Sequence, residues 1–499
     1  MTQFNMPRLI VASLVFEIFE ELESIVEKQA ALLKERAWRF ISGEVTPDAA
    51  YQLEVDLEEL SREMNRILTE FAYNHVEGAG PDSLPKHIWF EGGFYRRLNR
   101  KTRNQHVATR FGKITLWRFP YRDDHTGDSC VFPLEAQLGL VEGATPALAD
   151  RAARYMAEAG ATQRLVLERL KQDHGVCWGA ETLRNFTQIQ AERMDSFRHA
   201  MQVARVLELL AAAANSSGKR KPVMAVGRDG ITLSNALRNS WEVATAATIS
   251  VYGRNGKRLG TVYLGYVPEL GQGKMTKELT RLIEDILRQW TGPLPRLCYV
   301  TDAGEHETKY YRTVLRRMRH PVSGKHLEWS WIVDYYHASQ RITTMAEALF
   351  GPGTKEGNAW ARRMRRLLLK PNGPSRLLHS AAAIKSVRNL SEEESAKFDR
   401  AYNYIRTRTK FMRYYEFRRL HLPIGSGVTE AACKTLFTAR LKLSGMRWKK
   451  PGAAAILKLR VILLSGIWQP VREALLSSAE LDLPRPYAPN VQSTMALAP

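Results

Sequence analysis

The sequence is poor in cysteine, in acid relative to base, and in long apolar runs, and each shortage excludes something. Its four cysteines, Cys130, Cys177, Cys298 and Cys433, are far apart in 499 residues, with no C-x-x-C pair. That disfavours a disulfide framework or a zinc ribbon and fits a reducing, cytoplasmic setting. The apolar stretch Leu9–Phe19 is too short to span a bilayer and meets Glu17, Glu20, Glu21 and Glu23. With no signal-peptide cleavage pattern, it reads as an amphipathic helix of an intracellular protein with no membrane partner. Acids number 52 against 73 Lys and Arg, a net charge of +21. The excess favours a polyanion, most simply nucleic acid, and hence association with the nucleoid. A protein charged for solubility alone is the competing reading. What remains is ordinary for folded protein, 44% hydrophobic and 25% charged, and the length allows two to four domains.

Helical periodicity runs from about residue 8 to 77, through Leu14, Ile18, Leu22, Ile25 and Val26, then Leu53, Leu57, Leu60, Met64, Ile67 and Phe71. Thr46-Pro47 marks a helix start between them. From Phe94 to Arg122 there are nine basic residues and no acid, with strands expected at Val107–Arg110 and Ile114–Phe119 around a Phe111-Gly112-Lys113 turn. A basic hairpin suits phosphate contact, and a solvated edge hairpin would look the same. Helices at Thr162–Gln172 and Ala180–Ile189, separated by a turn containing Gly175, have helix-turn-helix proportions. In a DNA-reading version Thr182, Arg184 and Asn185 face the groove, although any helical hairpin has this spacing. Ala211–Lys221 reads as a hinge.

After Pro222 the period changes. Val223-Met-Ala-Val-Gly-Arg-Asp229-Gly230 is a short buried strand ending on a carboxylate, and Leu297-Cys-Tyr-Val-Thr-Asp302-Ala-Gly304 repeats the pattern. A buried acid is costly unless it is paired or holds a metal. Strands at Val243–Tyr252 and Leu259–Val267 flank the hairpin signal Asn255-Gly256. Helices at Met275–Trp290 and Glu307–Arg319 and a strand at Leu327–Asp334 complete the order strand, strand, strand, helix, strand, helix, strand. That order is expected of an α/β RNase H-like domain. Residues 338–420 carry no strand signal; helices are expected at Ala338–Leu349, Asn358–Leu369 and Ser391–Tyr415. The Gly425-Ser-Gly427 loop then leads into a helix at Val428–Leu443 with Glu430 in its first turn.

In-line displacement at a phosphodiester needs the attacking oxygen activated and the leaving oxygen stabilised, which two Mg²⁺ ions held by carboxylates achieve. Asp229, Asp302 and Glu430 are the candidate ligands. Around them the chain resembles the DDE transposases of bacterial insertion sequences, in the branch related to the Mutator-like superfamily. The resemblance covers roughly residues 105–465. It runs through Thr109-Arg-Phe-Gly112, Phe132-Pro-Leu-Glu135, Gly227-Arg-Asp229-Gly230, Thr301-Asp302-Ala-Gly304, Val333-Asp334-Tyr-Tyr-His337-Ala338 and Gly425-Ser-Gly-Val-Thr-Glu430-Ala-Ala-Cys433-Lys434. Gly445-Met-Arg-Trp448 and Ala453-Ala-Ala-Ile-Leu-Lys-Leu-Arg460 continue it. It implies that Asp229, Asp302 and Glu430 are catalytic and bind two Mg²⁺, with Mn²⁺ a plausible substitute. Asp334 and His337 match the acid-x-x-His signature as auxiliary residues. Relatives often carry a cysteine-pair zinc ribbon before the Phe-Pro-Leu motif; here only His125 and Cys130 could ligate, which argues against zinc and leaves that region's fold open.

Residues 401–450 hold twelve Lys and Arg against Glu416 and Glu430, interleaved with Tyr402, Tyr404, Phe411, Tyr414, Tyr415 and Trp448. Basic groups offset phosphate charge and aromatics stack on unpaired bases, although many of these rings suit a helical core. The expected DNA contacts are Arg184, Asn185, Lys434, Arg440, Arg447 and Trp448. The expected plan is an N-terminal helical region (1–80), a basic β-containing region (81–145), a helix-turn-helix-like DNA-binding region (146–215) and a first RNase H-like part (220–338). An all-helical insertion (339–422), the final core helices (423–470) and a tail (471–499) follow. The expected function is Mg²⁺-dependent cleavage and transfer of transposon-end DNA into target DNA by a homodimer or higher oligomer. A nuclease without strand transfer and a non-catalytic DNA-binding protein on the same fold are the alternatives.

Overall fold

The computed structural model describes residues 8–78, 80–127, 129–235, 240–444, 446–479 and 485–486. Gly445 of the expected Gly-Met-Arg-Trp segment, and residues 480–484 and 487–499 of the expected tail, lie outside them. The chain is mixed α/β and mostly helical. It divides into two compact units: Met1–Met156 with Thr162–Gln190 and Glu473–Pro499, and Ala157–Ala161 with Ala191–Arg472. Among the described residues no single helix is long and apolar enough to cross a membrane.

The first unit opens with two helices, α1 (Arg8–Ser42) and α2 (Pro47–Asn74). Thr46 caps α2 by accepting the Ala49 N–H, with Pro47 in the first turn. Strands β1 (His87–Phe90), β2 (Gly93–Arg97), β5 (Tyr121–Asp123) and β6 (Cys130–Val131) form a small sheet, and β3 (Thr102–Thr109) pairs with β4 (Gly112–Arg118) as the basic hairpin. Two basic residues of the Phe94–Arg122 stretch turn inward. Arg118 donates to Glu135 at 2.6 Å and stacks on Phe132, and Arg97 donates to the Leu84 carbonyl, so neither is a free phosphate contact. Between β5 and β6, Asp123 accepts the backbone N–H groups of His125 and Thr126. Helices α3 (Pro133–Gln137), α4 (Pro146–Ala157) and α5 (Gln163–His174) follow, and Gly175 ends α5 in the left-handed region at φ 62°. The next helix, α6 (Ala180–Ala214), runs far past the expected end at Ile189. No Gly or Pro interrupts it, so the expected hinge at Ala211 begins as helix.

The second unit is built on one five-stranded sheet: β7 (Val223–Asn235), β8 (Ser240–Tyr252), β9 (Arg258–Tyr266), β10 (Arg296–Thr301) and β11 (Trp329–Val333), in the order β11-β10-β7-β8-β9. β7, β8 and β9 are antiparallel neighbours, and Gly256 at φ 82° closes the β8–β9 hairpin. β10 runs parallel to both β7 and β11. Helix α7 (Gly273–Gln289) buries Leu279, Leu282, Ile283, Ile286 and Leu287. Contrary to expectation, β7 does not end at Asp229: residues 230–235 stay paired with β8. Helix α8 (Glu305–Thr313) stops before the expected Arg319 and gives way to a 3₁₀ turn at Leu315–Arg317.

The stretch between β11 and residue 420 is helical: α9 (Tyr335–Phe350), α10 (Lys355–Leu368), α11 (Gly373–Lys385), α12 (Glu392–Arg408) and α13 (Tyr414–Arg419). Sequence periodicity missed α11, whose Pro374 lies in the first turn, where proline is tolerated. The expected helix Ser391–Tyr415 is two helices broken by a 3₁₀ turn at Thr409–Phe411. Helix α14 (Gly427–Cys433) passes through a π-turn at Lys434–Thr438 into α15 (Ala439–Leu441). A π-turn displaces backbone carbonyls from their usual donors. Here Arg460, buried in α16 (Lys450–Leu464), donates to the Thr435 and Leu436 carbonyls.

Helix α14 is seated on β7 and β8 at one point. Thr429 Oγ1 lies 2.8 Å from Thr248 Oγ1, and a Cβ on Gly227 would come within 1.9 Å of Thr429 Oγ1. Gly227 thus sets how closely the Glu430 helix approaches the sheet. Gly227→Ala is expected to destabilise the protein by about 1–3 kcal/mol through overpacking. Adding Thr429→Ala should recover part of the loss; chemical unfolding of the single and double variants checks this.

Candidate metal centre

Backbone register brings three aspartates to one level. Val300 is paired with Gly227 and Thr301 with Val333, so Asp302 stands opposite Asp229 on one side and Asp334 on the other. The Asp334 N–H donates to the Thr301 carbonyl at 2.8 Å, extending the ladder by one residue. Asp229 lies inside β7, Asp302 directly follows β10, and Asp334 caps α9 directly after β11.

The helices hold these ends in place. Past Asp302 the chain turns through Ala303 at φ 61°, a left-handed conformation costly for a residue with a Cβ. The Tyr404 hydroxyl of α12 donates to the Asp302 carbonyl at 2.6 Å, and Arg408 donates to the Ala303 carbonyl at 3.2 Å. At β11 the buried Tyr414 hydroxyl donates to the Val333 carbonyl at 2.8 Å. Two rings from the aromatic–basic region therefore anchor acid-bearing strand ends. Tyr404 itself carries the guanidinium groups of Arg341 and Arg408 at 4.9 and 4.3 Å from its ring centre.

Asp334 is fully buried and organises the neighbouring loop. Its Oδ1 accepts the Ser426 N–H at 2.7 Å, and its Oδ2 accepts the His337 N–H and lies 2.8 Å from His337 Nδ1. A Cβ on Gly425 would come within 3.0 Å of the Tyr336 ring and 3.5 Å of Asp334 Oδ1, so glycine permits this approach. Ser426 Oγ then donates to Glu430 Oε1 at 2.8 Å, and His337 Nδ1 lies 3.7 Å from that oxygen. Asp334, His337 and Glu430 have ligand atoms within 4.8 Å of one another and could hold a metal ion. The expected trio of Asp229, Asp302 and Glu430 is looser, because Glu430 leans toward Ser426 and His337.

The charges nevertheless interact. Burial raises the Asp229 pKa, and the charges of Asp302 and Glu430 push it the same way against the Gly230 N–H. The hydrogen bond to Asp334 raises the His337 pKa, with the charges of Asp334, Asp302 and Glu430 adding to it. For Asp334, burial is outweighed by the bonds from His337 and Ser426, and its pKa is lowered. The buried Cys433 thiol, pushed up by burial and by Asp229, stays protonated and lies 3.6 Å from Asp229 Oδ2. Among the described residues no Lys or Arg forms an ion pair with Asp229, Asp302 or Glu430.

A fifth carboxyl escaped the sequence reading. Glu307 on α8 is buried, and its pKa is raised to about 7 by burial and by Asp302 and Asp229, against Arg228. Its signal was available, because Glu307 and the buried Tyr310 share one face of α8 at i, i+3. Arg228 is also buried, donating to Thr276 and Gln272.

The expected DNA contacts fare unevenly. Arg184 and Asn185 are exposed on α6, and Lys434 and Arg447 are exposed. Arg440 is a correction: it is 1% exposed, on the helix side of buried Leu436 and Phe437, with its guanidinium over the Trp448 ring. Trp448 is half-buried and donates its indole N–H to the Leu441 carbonyl at 3.1 Å. Both are committed to packing, so Arg440 cannot meet a phosphate and Trp448 is not a free stacking platform. No protein-family model matches the chain, and no curated protein matches it.

The Asp334–His337 pair has a defined pH window. The lowered Asp334 pKa contributes stability above the ordinary carboxylate range, lost as pH falls through the folded value. The raised His337 pKa contributes stability below the ordinary histidine value, lost as pH rises through the folded value. The stability difference between wild type and Asp334→Asn should therefore be largest between about pH 4 and 6.5 and shrink above it, as urea unfolding across pH would show.

Proposed function

We propose that this chain is a DDE transposase of the insertion-sequence type, with an RNase H-like catalytic domain built on the β7–β11 sheet. The carrying observation is the level placement of Asp229 and Asp302 on adjacent parallel strands, with the Glu430 helix docked over Gly227 beside them. The order of three antiparallel strands followed by two parallel ones supports the same fold assignment.

The donor set fits Mg²⁺. Asp229, Asp302 and Glu430 supply hard carboxylate oxygens, the charges of Asp302 and Glu430 raise the cost of ionising Asp229, and among the described residues none of the three has a Lys or Arg ion-pair partner, a condition that a hard dication relieves. Two bound Mg²⁺ ions, for which Mn²⁺ would substitute, would activate the attacking oxygen and stabilise the leaving one.

The chain's own groups do the rest. Tyr404 and Arg408 hold the backbone that carries Asp302, limiting drift of its carboxylate. Asp334 fixes His337 and, through Ser426, the entry to α14, so Glu430 is aimed from a rigid loop. His337, its protonated form favoured by Asp334, stands beside Glu430, its Nδ1 3.7 Å from Glu430 Oε1. Water would first cleave the phosphodiester at the element end, leaving a 3′-hydroxyl. That hydroxyl would then attack a target phosphodiester, exchanging one ester for another. Exposed Arg184, Asn185, Lys434 and Arg447 are the proposed contacts to element and target DNA, in a homodimer or larger assembly.

Strand nicking of element-end DNA in Mg²⁺ is the test. Asp229→Asn, Asp302→Asn and Glu430→Gln should each lower the cleavage rate by at least about a thousandfold, a loss of roughly 4 kcal/mol of transition-state stabilisation, while DNA binding persists. Full cleavage by Asp229→Asn rules the assignment out, and cleavage without joining identifies a nuclease.

A further inference from the structure

Beside Asp302 lies a cleft of about 740 Å³ whose lining includes the charged side chains Asp302, Glu305, Lys309, Arg312, Arg341 and Arg408. Four of these six side chains are permanent cations drawn from three helices, α8, α9 and α12. Among the described residues none of the four forms an ion pair, although acids stand nearby. Lys309, Arg312 and Arg341 are exposed. Unpaired cations gathered around one concave space attract a polyanion. The one large ring in the cleft, Tyr404, is occupied by the guanidinium groups of Arg341 and Arg408 and by its bond to the Asp302 carbonyl. It is therefore poorly placed to stack on a base.

Resting on the transposase reading above, we infer that this cleft is the path of a single DNA strand next to the reacting phosphate, gripped through its phosphates and not through its bases. Lys309 and Arg312 lie on one helix, three residues apart, and so share a face. Arg341 and Arg408 come from separate helices, with Asp302 on the same wall. A strand threaded here would pass Asp302 with its charge offset along the way. Recognition of this kind is indifferent to sequence and sensitive to salt.

The test uses the full-length protein in EDTA, so that no strand is cut, and a fluorescein-labelled oligothymidylate followed by anisotropy over a salt series. Lys309→Gln with Arg312→Gln should weaken binding about tenfold or more at low salt. It should also lower the slope of log affinity against log salt by about 1.4, roughly 0.7 per lost charge on a single strand. Arg341→Gln alone should lower it by about half as much. The control, Arg362→Gln with Arg363→Gln, removes two exposed cations of α10 and should leave affinity and slope unchanged. Wild-type affinity and slope in the Lys309/Arg312 variant would overturn the inference, as would much tighter binding of one base sequence than of another through these residues. The two readings fail separately. Loss of binding in the variant with no Mg²⁺-dependent nicking by the wild type would sink the transposase and leave the cleft. Nicking by the wild type with undiminished binding by the variant would do the reverse.

Discussion

The parallel hydrogen-bonding register of β7, β10 and β11 is the constraint on which the second unit depends. It places Asp229, Asp302 and Asp334 at one level, each at or beside the edge of a buried sheet. Carboxylates so arranged repel one another, and burial strengthens the repulsion. The protein answers this differently at each position. Asp334 is compensated internally, by His337 and the Ser426 N–H. Among the described residues, Asp229 receives only a backbone N–H and a thiol, and Asp302 only the Gly304 N–H. The uncompensated pair is where an external cation would be most stabilising.

The helical stretch between β11 and α14 is more than an appendage. Tyr404 and Tyr414 reach back to carbonyls at the ends of β10 and β11, where the ladder stops and backbone acceptors would otherwise lose their partners. Each such bond contributes about 1 kcal/mol in net terms, yet an unmet buried carbonyl costs more. Tyr404 and Arg408, bonded to the Asp302 and Ala303 carbonyls, hold the chain around the left-handed turn at Ala303. Precision at the acids thus depends on residues about a hundred positions downstream.

Much of this was legible in the sequence. Asp229 and Asp302 stood out because an acid closing a short apolar strand is unusual, and the hairpin at Asn255-Gly256 announced itself. Glu430 was visible through the glycines before it. Other features could not be read that way. The continuation of β7 past Asp229 depends on β8 pairing, which no local pattern encodes. Arg440 looked like a phosphate contact because composition counts charges without knowing which helix face they occupy. Tyr404 was noticed as an aromatic among basic residues, yet its task is set by a partner carbonyl remote in sequence. Glu307 was read only as the start of a helix, and it is the packing of α8 that buries it. The inward turn of Arg118 likewise needs Glu135 and Phe132 in space.

Asp229, Asp302 and Glu430 are proposed to receive divalent cations together. The most direct measurement is anomalous scattering from crystals of the full chain grown in Mn²⁺. Two manganese peaks about 3.5–4 Å apart, touched by Asp229, Asp302 and Glu430, are expected. A single peak confined to Asp334, His337 and Glu430, with neither Asp229 nor Asp302 bound to metal, would contradict that proposal.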